Sequence, residues 1–371
     1  MKIGIDARFY GSLGKGLGRY TEKLIKYLEK IDKHNQYYIL LRKENWDDYQ
    51  PSNINFKKVL ADYRWYTINE QVMMPLIIKR LGIDLMHFTH FNVPFFYKGK
   101  FIVTIHDLIL TKYPTQRATT LGPILYKIKH LGYQTIIKSA IKRAKAVIAV
   151  SKYTKEEIEE HFSVASKKIF VTHEGVDPLV IDNQDPQKVL NKYHITKPYI
   201  LYVGNVYPHK NIEGLISAYQ FVSRDHPDLK VVLVGKHDYF FQKIKDLVHE
   251  KKLDDKITFT GFVDDNDLPH IYKNAQLYCF PSFCEGFGLP ALEALYSGVP
   301  VVASDNSCLP EILGKAAIYF NPNDSTEMAN KIKYVLENKE VSAEIIRRGY
   351  EQVKIFGWEK MAKATLDLYE L

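Results

Sequence analysis

The sequence predicts two doubly wound α/β domains in tandem, each a parallel sheet with helices on both faces. Three observations carry that reading: a length of 371 residues, short apolar runs alternating with helical stretches in both halves, and a single pause in that alternation near the middle. One core usually stops growing well before this length, so two domains of roughly 180 residues are expected. With 46% hydrophobic and 25% charged residues and no low-complexity tract or repeat, the chain reads as ordinary globular protein, which excludes a disordered or fibrous class.

Taken in order, the first half offers apolar strands near residues 2–7, 37–42, 55–60, 84–88, 101–105, 146–150 and 169–172. After the first strand, Leu17, Tyr20, Leu24, Tyr27, Leu28 and Ile31 recur at helical spacing and predict a helix with one apolar face. The alternation pauses over 177–197, where Asp177-Pro178, Asp185-Pro186 and Lys197-Pro198 stand among few apolar residues. The boundary is placed there, giving domains 1–178 and 179–356. Strands resume at Tyr199-Ile-Leu-Tyr-Val-Gly204 and recur near 230–234, 257–260, 276–280, 300–303 and 317–320. The tail from Thr326 to Leu371 reads as helical, with a break at Phe356-Gly-Trp358. Two outcomes stand level: the last helix, 357–371, returns to the first domain, or it bends within the second. The two sheets are expected to present the carboxyl ends of their strands to one another across a cleft, the edge where open α/β sheets bind ligands.

The chain opens directly on a strand, and no apolar run nears the roughly 18 residues that cross a bilayer, so a cytoplasmic protein is expected. Its cysteines, Cys279, Cys284 and Cys308, lack metal-ligand spacing and read as small buried thiols in a reducing compartment. Charge is unevenly placed: residues 1–190 hold 30 Lys and Arg against 19 Asp and Glu, net +11, and the rest 21 against 24, net −3. Within 98–145, ten basic side chains meet one acid, Asp107, which asks for an anionic partner. Residues 115–145 set Leu121, Ile124, Leu125, Ile128 and Leu131 among these cations. That suits a helix lying on an anionic membrane surface, making the protein peripheral on the inner face, and equally a core-packed helix with a solvated basic face. Nucleic acid is not expected, because no binding motif accompanies the charge.

The strongest chemical signal is Pro281-Ser-Phe-Cys-Glu285-Gly-Phe-Gly-Leu-Pro290-Ala-Leu-Glu293. A strand leads through a glycine-containing loop into a helix whose start Pro290 favours and whose free N–H groups and dipole suit phosphate. Glu285 in the loop and Glu293 one turn inside the helix are spaced to reach different parts of one extended ligand. Against this stands the plainer reading of one acid near a helix start and one solvated helix residue; for the whole segment, function is favoured. A second strand end, Gly204-Asn-Val-Tyr-Pro-His209-Lys210, places two groups able to neutralise a diphosphate, although a lone surface lysine would mean little. In the first half, Asp6-Ala-Arg8 opens a loop with Gly14, Gly16 and Gly18, whose spacing is not the dinucleotide fingerprint. Val103-Thr-Ile-His106-Asp107 closes the fifth strand with two polar groups directed at the cleft, Asp107 among the candidates for acceptor or phosphate; the plainer reading is a helix cap at Asp107 and a satisfied, half-buried His106, and beside the other strand ends function is favoured.

Together these segments resemble the family 4 glycosyltransferases, retaining enzymes with the two-domain GT-B fold of paired Rossmann-like domains. The likeness runs over nearly the whole chain. Its most specific part is the pair Glu285 and Glu293 around Gly286-Phe-Gly-Leu-Pro290. Supporting matches are Gly18-Arg19-Tyr20, Thr104-Ile-His-Asp107, Ala149-Val-Ser-Lys152, Glu174-Gly-Val-Asp177, Pro208-His-Lys-Asn211, Gly261-Phe-Val263, Leu309-Pro-Glu-Ile312 and Phe356-Gly-Trp-Glu359. Bacterial mannosyltransferase-like members that build O-antigen, capsule or other surface polysaccharides are the most similar.

The resemblance implies an acceptor-side first domain and a nucleotide-sugar-binding second one. Glu285 would hold donor-sugar hydroxyls, Glu293 the ribose, and Lys210 the diphosphate, helped by backbone N–H groups at Gly16, Phe287, Gly288 and Leu289. His106 would approach the transferred sugar, and Val263 would lie against the base. Many relatives carry Arg where His209 stands, so His209 is expected to be a weaker, pH-sensitive phosphate cation, with Arg19 or Arg8 in compensation. The donor implied is GDP-mannose, with UDP-sugars second, and the acceptor a glycan or lipid diphosphate-linked glycan. No cofactor or metal is expected; the one acidic run, Asp264-Asp-Asn-Asp267, reads as a helix start. A nucleotide-sugar epimerase or phosphorylase on the same fold is the rival enzyme, and a non-enzymatic sugar-nucleotide or polysaccharide-binding protein the rival from another class.

Overall fold

The computed structural model describes residues 1–11, 15–113, 122–179 and 182–371, and it builds one parallel sheet from each half. The first sheet holds β1 (Lys2–Asp6), β2 (Gln36–Leu41), β3 (Phe56–Leu60), β4 (Leu85–Phe88), β5 (Phe101–Ile105), β6 (Ala146–Ala149) and β7 (Ile169–Val171), ordered β3-β2-β1-β4-β5-β6-β7. The second holds β8 (Tyr199–Val203), β9 (Lys230–Val234), β10 (Ile257–Gly261), β11 (Leu277–Phe280), β12 (Val301–Ser304) and β13 (Ala317–Phe320), ordered β10-β9-β8-β11-β12-β13. Every predicted strand lies within a residue or two of an observed one. Strands covered on both faces carry unbroken apolar runs, which is why they are easy to read; β4, β5, β6, β11 and β12 are buried throughout.

Helices in the first half are α1 (Lys15–Ile31), α2 (Ile68–Leu81), α3 (Ile109–Lys112), α4 (Pro123–Arg143) and α5 (Lys152–Phe162). The second half carries α6 (Pro186–Lys192), α7 (Ile212–Asp225), α8 (Tyr239–Glu250), α9 (Leu268–Lys273), α10 (Leu289–Tyr296), α11 (Leu309–Leu313), α12 (Ser325–Glu337), α13 (Lys339–Val353) and α14 (Trp358–Tyr369). Two compact units result: Met1–Gly175 with Gly357–Leu371, and Val176–Phe356. The strand order reverses between β1 and β4 in one unit and between β8 and β11 in the other. Those are the topological switch points where doubly wound sheets hold ligands.

The last helix, α14, packs on α1 in the first unit. A buried hydrogen-bond chain fastens it: Tyr369 Oη to His87 Nδ1 at 2.8 Å, His87 Nε2 to Thr104 Oγ1 at 2.8 Å, and Thr104 Oγ1 to Tyr20 Oη at 3.2 Å. Burial pushes the His87 imidazole down to about 3 from an ordinary 6.5. The folded state therefore keeps it neutral where the unfolded chain takes up a proton. Its contribution to stability is complete above pH 6.5 and declines as pH falls toward 3, with about 2 kcal/mol lost by pH 5. Urea unfolding at pH 7 and pH 5 should show that fall for the first unit, smaller in His87→Gln; identical pH sensitivity in the two proteins would contradict it.

Candidate active site

In the second unit the loops after β8 and β11 are tied together. The β8 loop turns at Gly204, whose φ of +148° favours glycine, and makes a single turn over Pro208–Lys210 before α7. Phe283 N–H donates to the His209 carbonyl at 2.8 Å, and Asn211 Nδ2 donates to the Pro281 carbonyl at 3.1 Å. Lys210 Nζ reaches both carboxylate oxygens of Glu285, at 2.6 and 2.8 Å, with only 15% and 9% of the two side chains exposed. Charge-assisted bonds of this kind are short and directional, so each group fixes the other at the sheet edge. Glu285 N–H donates to Ser307 Oγ at 3.1 Å, which braces the loop from the β12 side.

Gly288 caps α10 at φ +99°, and a methyl there would press on Leu309 and Phe280. The chain thus enters the helix at Gly288 and Leu289 with no side chain over the cap, leaving a helix start suited to an anion. Phe287 is buried just before it. Glu293 is buried one turn on and accepts from Tyr272 Oη at 3.0 Å. Asn205 Oδ1 and Ser282 Oγ, one on each loop, are buried without a hydrogen-bond partner among the described residues. Orphaned polar atoms are rare in folded proteins and mark where a ligand or water belongs.

One expectation changes here. Burial, reinforced by the charge of Lys210, pushes His209 down to about 4. Without a bound anion, that environment disfavours the cationic form expected of it. The Asp264–Asp267 run starts α9 as expected, with the Asp267 side chain accepting from Lys192 Nζ at 2.6 Å and Tyr193 Oη at 2.7 Å and Asp264 accepting from the same Lys192 at 2.9 Å. Val263, after β10, is buried between exposed Phe262 and Asp264.

In the first unit, Gly16 lies exposed in the first turn of α1, where a methyl would meet nothing within 4 Å among the described residues. The steric demand falls on Gly18, whose Cβ would overlap the carbonyl oxygens of Phe9 and Gly11. Gly14 lies outside the described residues. His106 follows β5 with both ring nitrogens engaged: Nε2 with the Thr89 carbonyl at 3.0 Å and Nδ1 with Glu174 Oε1 at 3.0 Å, while Tyr20 packs edge-on at 4.7 Å. Asp107 Oδ1 accepts from Ile109 N–H at 3.0 Å and so braces the start of α3. Arg19 is half-buried on α1.

Arg8 does not compensate for His209. Its buried guanidinium bonds Asp6 at 2.8 and 2.7 Å, pairs with Glu70 at 2.7 Å and donates to the Tyr63 carbonyl at 3.1 Å. Burial opposes the charge, yet the two carboxylates more than offset it and hold the Arg8 pKa above its ordinary value. The basic stretch also divides. The far end of α4 sends Ile137, Ala140 and Ile141 into the core, whereas Ile128 and Leu131 are 63% and 66% exposed beside exposed Lys127 and Lys129. Residues 115–121, Leu121 included, lie outside the described residues.

Comparison with known proteins separates at the same place as the fold. A profile described as Glycosyltransferase Family 4 matches residues 14–178, and one described as Glycosyl transferases group 1 matches residues 184–352. The chain belongs to glycosyltransferase family 4. This glycosyltransferase is 29% identical over 375 residues to O-antigen chain mannosyltransferase B of Escherichia coli, covering 96% of each chain. It is 28% identical over 338 residues to O-antigen chain mannosyltransferase RfbU of Salmonella typhimurium, covering 88% of each. Sucrose-phosphate synthase of Thermosynechococcus elongatus has the same GT-B fold, with a TM-score of 0.78 at 20% identity over 100% of this chain and 98% of that one.

Sequence reasoning left four residues of the glycosyltransferase without a role: Asn205 and Ser282, with their orphaned polar atoms, and Glu174 and Tyr272, which orient His106 and Glu293. Asn205, Ser282 and Glu174 stood inside motifs already singled out. Tyr272 carried no local signal at all.

Proposed function

We propose that the glycosyltransferase moves mannose from GDP-mannose, with retention of configuration and without a metal, onto a glycan or lipid diphosphate-linked acceptor in surface polysaccharide synthesis. One observation carries the transfer chemistry: Lys210 and Glu285 joined across two laced loops, beside the start of α10, at a switch point. As the bond from the sugar C1 to phosphate oxygen breaks, charge gathers on the departing diphosphate, and Lys210 with the helix-start amides stabilises it. The acceptor hydroxyl then bonds C1 from the face that the diphosphate left, and its proton passes to a leaving phosphate oxygen. Glu285 orients donor-sugar hydroxyls and Glu293 takes the ribose.

Mannose is supported by the named activities of both relatives. GDP at a hundredfold excess over its Kd should stabilise the protein by about 2.7 kcal/mol in a thermal-shift screen, and UDP should do less. GDP release from GDP-mannose should depend on acceptor and persist in excess chelator. Activity abolished by chelator and restored by magnesium would overturn the metal-independent step.

Among the described residues no helix is long and apolar enough to cross a membrane. We infer that α4 makes peripheral contact with an anionic bilayer through Ile128 and Leu131, flanked by Lys127 and Lys129. Anionic vesicles should sediment the protein at low salt, and an Ile128→Ser, Leu131→Ser double variant should sediment several-fold less. Equal sedimentation of variant and parent would remove this contact.

A further inference from the structure

A group of aromatic rings stands beyond the carboxyl ends of β1 and β4, at the switch point of the first sheet. Phe9 is stacked on Trp65 with centroids 4.3 Å and planes 11° apart. His90 lies 5.1 Å from Phe9 and 4.0 Å from Phe91, and Tyr66 lies 6.4 Å from Phe91. Phe9, Trp65, His90 and Phe91 are half-buried, and Tyr66 is 60% exposed. Tyr66 holds φ at +63°, a left-handed conformation that costs a non-glycine residue energy and persists only where surrounding structure enforces it.

The enforcing structure is the buried ionic network around Arg8. Phe9 follows Arg8 directly. Trp65 and Tyr66 sit between Tyr63, whose carbonyl accepts from Arg8, and Glu70, whose Oε2 accepts the Tyr66 N–H at 2.7 Å. His90 and Phe91 precede Asn92, which donates to Glu70 Oε1 at 2.7 Å. Each segment of the aromatic group is therefore anchored to one network. Burying a guanidinium with two carboxylates gains little stability over apolar packing, whereas it fixes positions well, as binding sites require. Trp65 Nε1 and His90 Nδ1 are also buried without a hydrogen-bond partner among the described residues. The aromatic group is apolar in area, exposes Tyr66, and holds two buried polar atoms without hydrogen-bond partners among the described residues.

We infer that Phe9, Trp65, Tyr66, His90 and Phe91 form the subsite for one pyranose ring of the glycan acceptor. The apolar C–H face of the sugar lies on the exposed Tyr66 ring beside the half-buried rings, and its hydroxyls answer the unmet polar demand at Trp65 and His90. This rests on the transferase reading and adds that the acceptor is recognised by its sugar.

Mannotriose titrated into the protein, followed by ligand-observed NMR, tests the assignment. The parent should bind it, Trp65→Ala should weaken binding about tenfold or more, and Trp65→Phe should recover most of that loss. Tyr66→Gly, which removes the ring but suits the positive φ, should weaken binding several-fold in a protein at least as stable as the parent. In assays, Trp65→Ala should raise the acceptor KM and leave the donor KM within about twofold. A parent that binds no mannotriose, or a Trp65→Ala variant that keeps the GDP-induced thermal shift and binds mannotriose like the parent, overturns the subsite. Failure of the transferase reading looks different: no nucleotide diphosphate is released from any donor.

Discussion

Lys210→Ala is expected to lower sugar transfer by about a thousandfold, which corresponds to roughly 4 kcal/mol of lost transition-state stabilisation. Lys210 is held at the sheet edge by two bonds to Glu285, so its ammonium is in place before the diphosphate departs. Little reorganisation is then needed during the reaction, and that is where fixed charges act most strongly. The same pair predicts an asymmetry. In the ligand-free protein the Glu285 carboxylate competes with phosphate for Lys210. Glu285→Gln removes that competitor, so GDP should bind at least as tightly as in the parent even though turnover falls about a hundredfold. Lys210→Ala should weaken GDP binding and turnover together. Because Lys210→Ala strands a buried carboxylate, the Lys210→Met, Glu285→Gln double variant serves as the control for folding. Parent-rate transfer by either folded protein lacking Lys210 would remove the charge-stabilisation mechanism.

Most of the architecture was legible because it is written locally. Runs such as Phe101-Ile-Val-Thr-Ile105 and Tyr199-Ile-Leu-Tyr-Val203 need no knowledge of their neighbours to be read as strands covered on both faces. The Glu285 to Glu293 segment was legible for the same reason, since loop, helix start and both acids fall within nine residues. What escaped depends on partners distant in sequence. His106 meets Glu174 from 68 residues away, and nothing near either residue announces the pair. Arg8 looked available for phosphate because Glu70 lies one helix and two strands downstream. His209 looked cationic because burial is a property of the packed loops. The helix α4 defeated a single periodic reading: one stretch of it is core and another is surface.

Arg8→Ala is expected to destabilise the first unit by about 3–5 kcal/mol, since it leaves two carboxylates buried without their cation. In a unit of this size that corresponds to a fall in Tm of roughly 10 °C. The loss should not stay local, because Arg8 also fastens the chain at Tyr63, and its partner Glu70 holds Tyr66 N–H and Asn92. Restoring apolar bulk with Asp6→Leu, Arg8→Met and Glu70→Leu together should recover part of the stability, since no buried charge then lacks a partner. It cannot restore the bonds that place Tyr66 and Asn92, so mannotriose binding should stay weak in this more stable triple variant. If stability and binding returned together, the network would be a stabilising device only. If binding alone stayed lost, its buried charges serve to position the aromatic rings above them.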